Sequence, residues 1–316
     1  MFRRTTEAPD SALARVGLTT GRLLVCTGPA LADGLPYLVG SLAQGFGNRG
    51  SDVDIHLFTS RENPRGGGPE HLFVDGVPVG IERYPRSAPA DRLTALDTRM
   101  AETGAGPVSL SPVPSAAERK VLGMWAVAVP LRPRAARVLT WEQEAVVYAL
   151  MLRAALCRVL LAGRLADLLV AAGRAADQTW PLCRRPLLEL LCLSRGMPPL
   201  GEKWLARRVR RVAPASLVSA AESVDGIPAL SRFLGWLGLP PFDPRPVVRE
   251  VPEPTIAELR LGPERWLLSR YGRLASAPQP GGGDAGHTVR ALECGLLRLG
   301  VDEQALSDGL EKGLSG

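Results

Sequence analysis

The residues best placed to do chemistry lie in one stretch: Gly40-Ser41-Leu42-Ala43-Gln44-Gly45-Phe46-Gly47-Asn48-Arg49-Gly50-Ser51-Asp52-Val53-Asp54-Ile55. Gly40-Ser41 closes a short apolar run, Tyr37-Leu38-Val39, and suits a strand-to-helix turn. A helix opening at Ser41 leaves backbone N–H groups unpaired. Those groups, the helix dipole and a small hydroxyl together favour a phosphate. Gly40 lets the phosphate come close to the backbone. Asp52 and Asp54 alternate with Val53, Ile55 and Leu57, the period of a strand, so both carboxylates leave one face. Two hard oxygen ligands at that spacing suit Mg²⁺. Beside a triphosphate they can hold two ions about 3.5–4 Å apart, which activate the attacking oxygen and neutralise the leaving group.

A hairpin follows this strand. Leu72-Phe73-Val74, then Asp75-Gly76, then 77–84 reads as strand, tight turn and return strand. Glu82 lies on the return strand and is the candidate third carboxylate, as metal ligand or as general base for an acceptor hydroxyl. His56 shares the face of Asp52 and Asp54, and a structural histidine at a strand end is the expectation for it.

The whole spaced set resembles the nucleotidyltransferase superfamily of DNA polymerase β and kanamycin nucleotidyltransferase, in its small bacterial form. The resemblance rests on the apolar strand, Gly40-Ser41, ten intervening residues and Asp52-Val53-Asp54-Ile55, and it covers residues 37–84. Ala43, Gly45 and Ser51 fall where the family often has them. The chain has Glu82 where many relatives carry aspartate. The resemblance implies Asp52, Asp54 and Glu82 as catalytic and metal-binding residues, with Gly40 and Ser41 on the nucleotide. It further implies Mg²⁺, one ion or two, an NTP substrate, and transfer of a nucleoside monophosphate, AMP first, to a small-molecule acceptor with release of pyrophosphate. Helical C-terminal domains of similar enzymes often carry a lysine in a Lys-Trp-Leu context. Lys203, in Gly201-Glu202-Lys203-Trp204-Leu205, therefore becomes a nucleotide-binding candidate from the second domain. A compact ammonium suits a phosphate as a point charge.

Composition bounds the alternatives. Of the 38 basic residues only Lys120, Lys203 and Lys312 are lysine, and the +6 charge follows an arginine-rich, Ala/Gly/Pro-rich bias rather than a nucleic-acid footprint. Five cysteines without zinc spacing, no apolar leader, and an apolar run at 146–162 broken by Arg153 and Arg158 give the expectation of a cytoplasmic protein that does not span a membrane. Two readings compete with the small-molecule one. Arg207, Arg208, Arg210 and Arg211 could meet a protein or RNA acceptor, and a catalytically silent scaffold could keep the fold. Glu142 and Glu144 could supply a base, though acidic residues are favoured in a first helical turn anyway.

The expected fold is α+β. A small mixed-sheet catalytic domain spans 1–135, an all-helical bundle 136–275, and a linker with a C-terminal helical segment 276–316. Residues 121–131 are expected as a strand, and 141–162, 164–177, 184–195, 202–212 and 255–274 as helix.

Overall fold

In the computed structural model, residues 1–3, 8–60, 69–104, 108, 113–253, 255–261, 264–268, 274–276 and 284–314 are described. The expected loop at 61–69 and the glycine runs at 66–68 and 281–283 fall wholly or largely outside them. The chain divides into two compact units that interleave in sequence: 1–98, 114–152 and 192–212 form one, and 99–113, 153–191 and 213–316 the other.

The first unit opens with three short helices, α1 (Pro9–Ala14), α2 (Thr20–Cys26) and α3 (Gly28–Leu31), which lead into strand β1 (Gly34–Val39). A single helical turn, α4 (Gly40–Ala43), then β2 (Val53–Thr59), β3 (Glu70–Val74) and β4 (Val77–Pro85) follow. Asp75 at φ +50° and Gly76 at φ +81° make the tight turn between β3 and β4. Helices α5 (Ala88–Gly104) and α6 (Ala116–Ala126) precede the short strand β5 (Val129–Pro130). The sheet order is β3-β4-β2-β1-β5, with β2 and β4 parallel and the other pairs antiparallel. One face buries Val53, Ile55, Leu57, Val79 and Ile81 against Leu13, Leu23, Leu31 and Leu42. The opposite face carries the polar alternates Asp54, His56 and Glu82, flanked by aromatic rings rather than open water.

Residues 121–131 are mostly helix, not strand. Ser115 caps α6 in a capping box with Glu118, a start signal that outweighs the β-branched residues further on.

Helix α7 (Trp141–Ala171) is one continuous helix where two were expected. It is long and apolar enough by composition to cross a membrane. Its arginines are nonetheless partnered within the protein: Arg153 pairs with Glu303, Arg158 with Glu189 at 2.7 Å and Arg164 with Glu250 at 2.7 Å. Such partners belong to a helix packed in protein.

The all-helical expectation for the C-terminal part is corrected. Helices α8 (Ala176–Thr179), α9 (Arg184–Ser194), α10 (Leu205–Val212), α11 (Ala215–Glu222), α12 (Ile227–Trp236) and α13 (Pro244–Val247) are followed by β6 (Val248–Pro252). Then come β7 (Ala257–Leu261), β8 (Glu264–Leu268), β9 (Leu274–Ser276), α14 (Ala285–Glu293), β10 (Leu297–Val301) and α15 (Glu303–Leu314). β6 pairs with β10, and β7-β8-β9 is a meander. Residues 257–261 alternate Ala, Glu, Leu, Arg, Leu, which is period two, and Gly262-Pro263 breaks any helix through the region.

Glu144 is fully buried in the first unit and pairs with Arg137, whose guanidinium lies 3.5 Å from the Trp141 ring centroid. A base role for this carboxylate gives way to a structural one. Removing one partner of a buried pair strands the other charge. Glu144→Ala is therefore expected to lower the unfolding free energy by about 3–5 kcal/mol in a denaturant titration.

Candidate active site

Antiparallel pairing places Val39, the residue before the Gly40 turn, opposite Asp54. Gly40 adopts φ +71°, and a Cβ there would lie 3.1 Å from the Asp54 Cγ and closer still to Oδ2. Only glycine satisfies both constraints at once. The geometry thus joins the Gly-Ser turn to the aspartate strand directly. Ser41 is buried, and its carbonyl accepts from the N–H groups of Phe46 and Gly47 at 2.9 and 3.0 Å. That folds the chain back tightly after one turn. The short helix expected to open at Ser41 and break into a loop is a single turn, Gly40–Ala43, so its dipole is small.

The approach to Asp52 is equally fixed. The Asn48 N–H donates to Ser51 Oγ at 3.0 Å, the Gly50 N–H to Asn48 Oδ1 at 3.1 Å, and the Ser51 N–H to the Asn48 carbonyl at 2.9 Å. This knot delivers Asp52, exposed, to the mouth of β2. Asp54 is pushed up to about 6 by burial first, then by the negative charge of Asp52, with Glu82 adding to it; Lys120 and Lys203 act the other way. Three carboxylates thus converge electrostatically on one partly buried position.

Parallel pairing sets Asp54 opposite Gly80 and His56 opposite Glu82. Glu82 therefore stands one same-face step along from Asp54. It accepts a hydrogen bond from the Tyr84 hydroxyl at 2.5 Å, and His56 Nε2 faces it at 3.7 Å. His56 is 2% exposed, and its Nδ1 accepts from the Trp125 indole at 2.9 Å. Burial, with help from Lys120 and Arg92, holds this imidazole down at about 4 against the pull of Glu82. Burial and the bond to Glu82 hold the Tyr84 phenol above its ordinary range. Tyr84, Trp125 and Phe58 pack with ring centroids 5.1–5.8 Å apart, and the Arg92 guanidinium lies over Trp125 at 5.2 Å.

Lys203 sits in a 3-10 turn, Glu202–Trp204, its ammonium 5.5 Å from the Trp204 ring centroid. It belongs to the same compact unit as Asp54, not to a separate domain reaching over it. Lys120, on α6, acts on both Asp54 and His56 and was not singled out from sequence. The sequence signal for it is rarity alone, since it is one of three lysines in the chain; only the structure brings it and Lys203 within electrostatic reach of one aspartate.

The arginine run after Lys203 has a protein-directed task. Arg207 donates to the Phe46 carbonyl at 3.4 Å and Arg211 to the Gln44 carbonyl at 2.8 Å, both in the loop leaving α4. Arg208, 2% exposed, donates to the Met197 carbonyl at 3.4 Å, and Arg210 to Ala206 in its own helix.

Among the described residues no three His, Cys, Asp or Glu side chains gather so as to hold a metal ion. Mg²⁺ commonly takes only one or two carboxylates and completes its shell with water and substrate phosphates. Asp52 and Asp54, mutually repelling, fit that partial role.

No family model matches the chain, and no curated protein matches it. The residues themselves therefore carry the functional reading.

The folded protein binds a proton at Asp54 more tightly than the unfolded chain does, so this group's contribution to stability is lost as pH rises from 3.8 through about 6. Metal-free Asp54→Asn is expected to be more stable than the parent at neutral pH, by about 1–3 kcal/mol, with the gap closing on the acid side. Thermal melts across pH with a chelator present check it; a parent chain as stable as the variant at neutral pH contradicts the burial and repulsion that raise Asp54.

Proposed function

We propose that this chain is a metal-dependent nucleotidyltransferase that moves a nucleoside monophosphate, AMP in the first instance, from an NTP to a hydroxyl of a small-molecule acceptor. The observation that carries the reading is the packing of Gly40, at positive φ, against the carboxylate of Asp54. It brings the glycine turn proposed to receive the phosphate against the carboxylate proposed to hold the cation. The family resemblance over 37–84 accords with it.

In this reading the Gly40-Ser41 turn and the ammonium groups of Lys203 and Lys120 receive the triphosphate, while Asp52 and Asp54 hold Mg²⁺. The metal supplies Lewis-acid stabilisation of charge on the phosphates. Glu82 takes the proton of the acceptor hydroxyl as its oxygen bonds to the α-phosphorus. The bond from that phosphorus to the bridging oxygen breaks, and pyrophosphate leaves with the electron pair. Trp125, Tyr84 and Phe58 pack on the Glu82 side of this face and fix its neighbours there.

A macromolecular acceptor receives less support. All four arginines that motivated it, Arg207, Arg208, Arg210 and Arg211, donate to backbone carbonyls. A silent scaffold would have no use for a partly buried aspartate set against a positive-φ glycine turn.

Pyrophosphate release from Mg-NTP with a panel of hydroxylated acceptors tests the proposal. Asp54→Asn is expected to cut turnover by at least about 10²-fold while preserving the fold. Lys203→Ala is expected to act chiefly on the apparent affinity for NTP. If calorimetry finds no NTP binding, with Mg²⁺ or without it, the proposal fails.

A further inference from the structure

Glu82 is held through one of its two oxygens. The Tyr84 hydroxyl donates to Oε2 at 2.5 Å, and Nε2 of His56 faces that same oxygen at 3.7 Å. His56 and Glu82 are register partners on parallel β2 and β4, so both side chains leave the sheet on one face. The other ring nitrogen of His56, Nδ1, accepts from the Trp125 indole at 2.9 Å. An indole N–H can only donate. Nδ1 must therefore present a lone pair, and the proton of the neutral ring sits on Nε2, towards Glu82. Trp125 is 1% exposed and His56 2%, so neither ring can turn away into water.

We propose that Trp125 and His56 are positioning residues for Glu82. Trp125 selects the tautomer of His56, and the Nε2–H of His56 works with the Tyr84 hydroxyl to pin Oε2. Oε1 alone is then presented to the acceptor hydroxyl. The separation of 3.7 Å closes to a hydrogen bond when substrate fills the site, as donor contacts at free active sites commonly do. The pairing also assigns Glu82 to proton transfer rather than to bidentate metal binding, because one oxygen is already committed to protein donors. The inference rests on the reading of Glu82 as the proton acceptor.

Four side chains decide the test. Glutamine in place of His56 can present an amide N–H near the position of Nε2; asparagine, being shorter, presents it near Nδ1 instead. His56→Leu presents no donor. Trp125→Phe keeps a ring but removes the donor that selects the tautomer. In the parent protein, ¹⁵N–¹H spectra of the imidazoles are expected to give His56 an unprotonated Nδ1 and a protonated Nε2. In Trp125→Phe the tautomers are expected to mix. A crystal structure of His56→Leu is expected to show the Glu82 carboxylate displaced or split between rotamers.

In turnover, His56→Leu and His56→Asn are expected to lose about 10²-fold in kcat with KM for NTP little changed, and His56→Gln to recover most of the loss. Thermal melting of each variant separates lost folding from lost positioning, and the conservative glutamine variant serves if Trp125→Phe does not fold. A protonated Nδ1 in the parent, an unmoved Glu82 in His56→Leu, or equal kcat for His56→Gln and His56→Leu overturns the pairing. Absence of NTP turnover in the parent would instead sink the nucleotidyltransferase reading, and the spectra and the crystal structure would still judge the pairing.

Discussion

The contact between Gly40 and the Asp54 carboxylate is the constraint on which the site depends. Two strands must pair in register so that Val39 faces Asp54, and the chain must then turn at a positive φ with no side chain in the way. Neither half suffices alone. A Gly-Ser turn elsewhere on the sheet would be an ordinary connection, and Asp54 without the turn would be a costly half-buried charge. The cost is visible in the upward shift of that carboxylate, driven by burial and then by Asp52. A protein interior tolerates such a group only when something relieves it.

Much of the surrounding unit serves that contact. The apolar face of the sheet, Val53, Ile55, Leu57, Val79 and Ile81, fixes the register, because a slip of one residue would send the carboxylates into the core. Arg207 and Arg211 grip the carbonyls of Phe46 and Gln44, holding the loop that follows the turn from outside. Guanidinium groups suit this task because their planar N–H forks meet carbonyls in fixed directions. Lysine is reserved for a different one. Lys120 and Lys203, from separate elements, both bring a compact charge to bear on Asp54. In a chain with 38 basic residues and three lysines, that division follows the chemistry of the two side chains.

The carboxylates and the turn were legible in the sequence because their spacing is local. The β-alternation at 52–58, the Asp75-Gly76 turn and the return strand each span few residues, and periodicity reads such segments well. The companions of the site were not legible in the same way. Trp125 and Lys120 arrive on α6, whose capping box at Ser115 and Glu118 was readable but was outweighed by the apolar run after it. His56 was expected to be a structural histidine, which fits its burial; its place between Trp125 and Glu82 was not legible, because Trp125 lies 69 residues away in sequence. The strands at 248–252, 257–261, 264–268 and 297–301 were missed for another reason. Each is five residues, and alternation that short, next to long helices, carries little periodic signal.

The aromatic face gives the two acids on one sheet different surroundings. Asp54 sits back against the turn, where burial first and then neighbouring negative charge favour its proton-bound form. Glu82, one step further along, is half exposed and hydrogen-bonded to a phenol that burial keeps protonated. A phenol that stays protonated remains a donor, so Glu82 keeps one oxygen occupied while the other remains available. The same sheet face therefore separates a carboxylate suited to holding charge from one suited to moving a proton. The separation comes from neighbours, Gly40 for the first and Tyr84 for the second, rather than from any difference between aspartate and glutamate themselves.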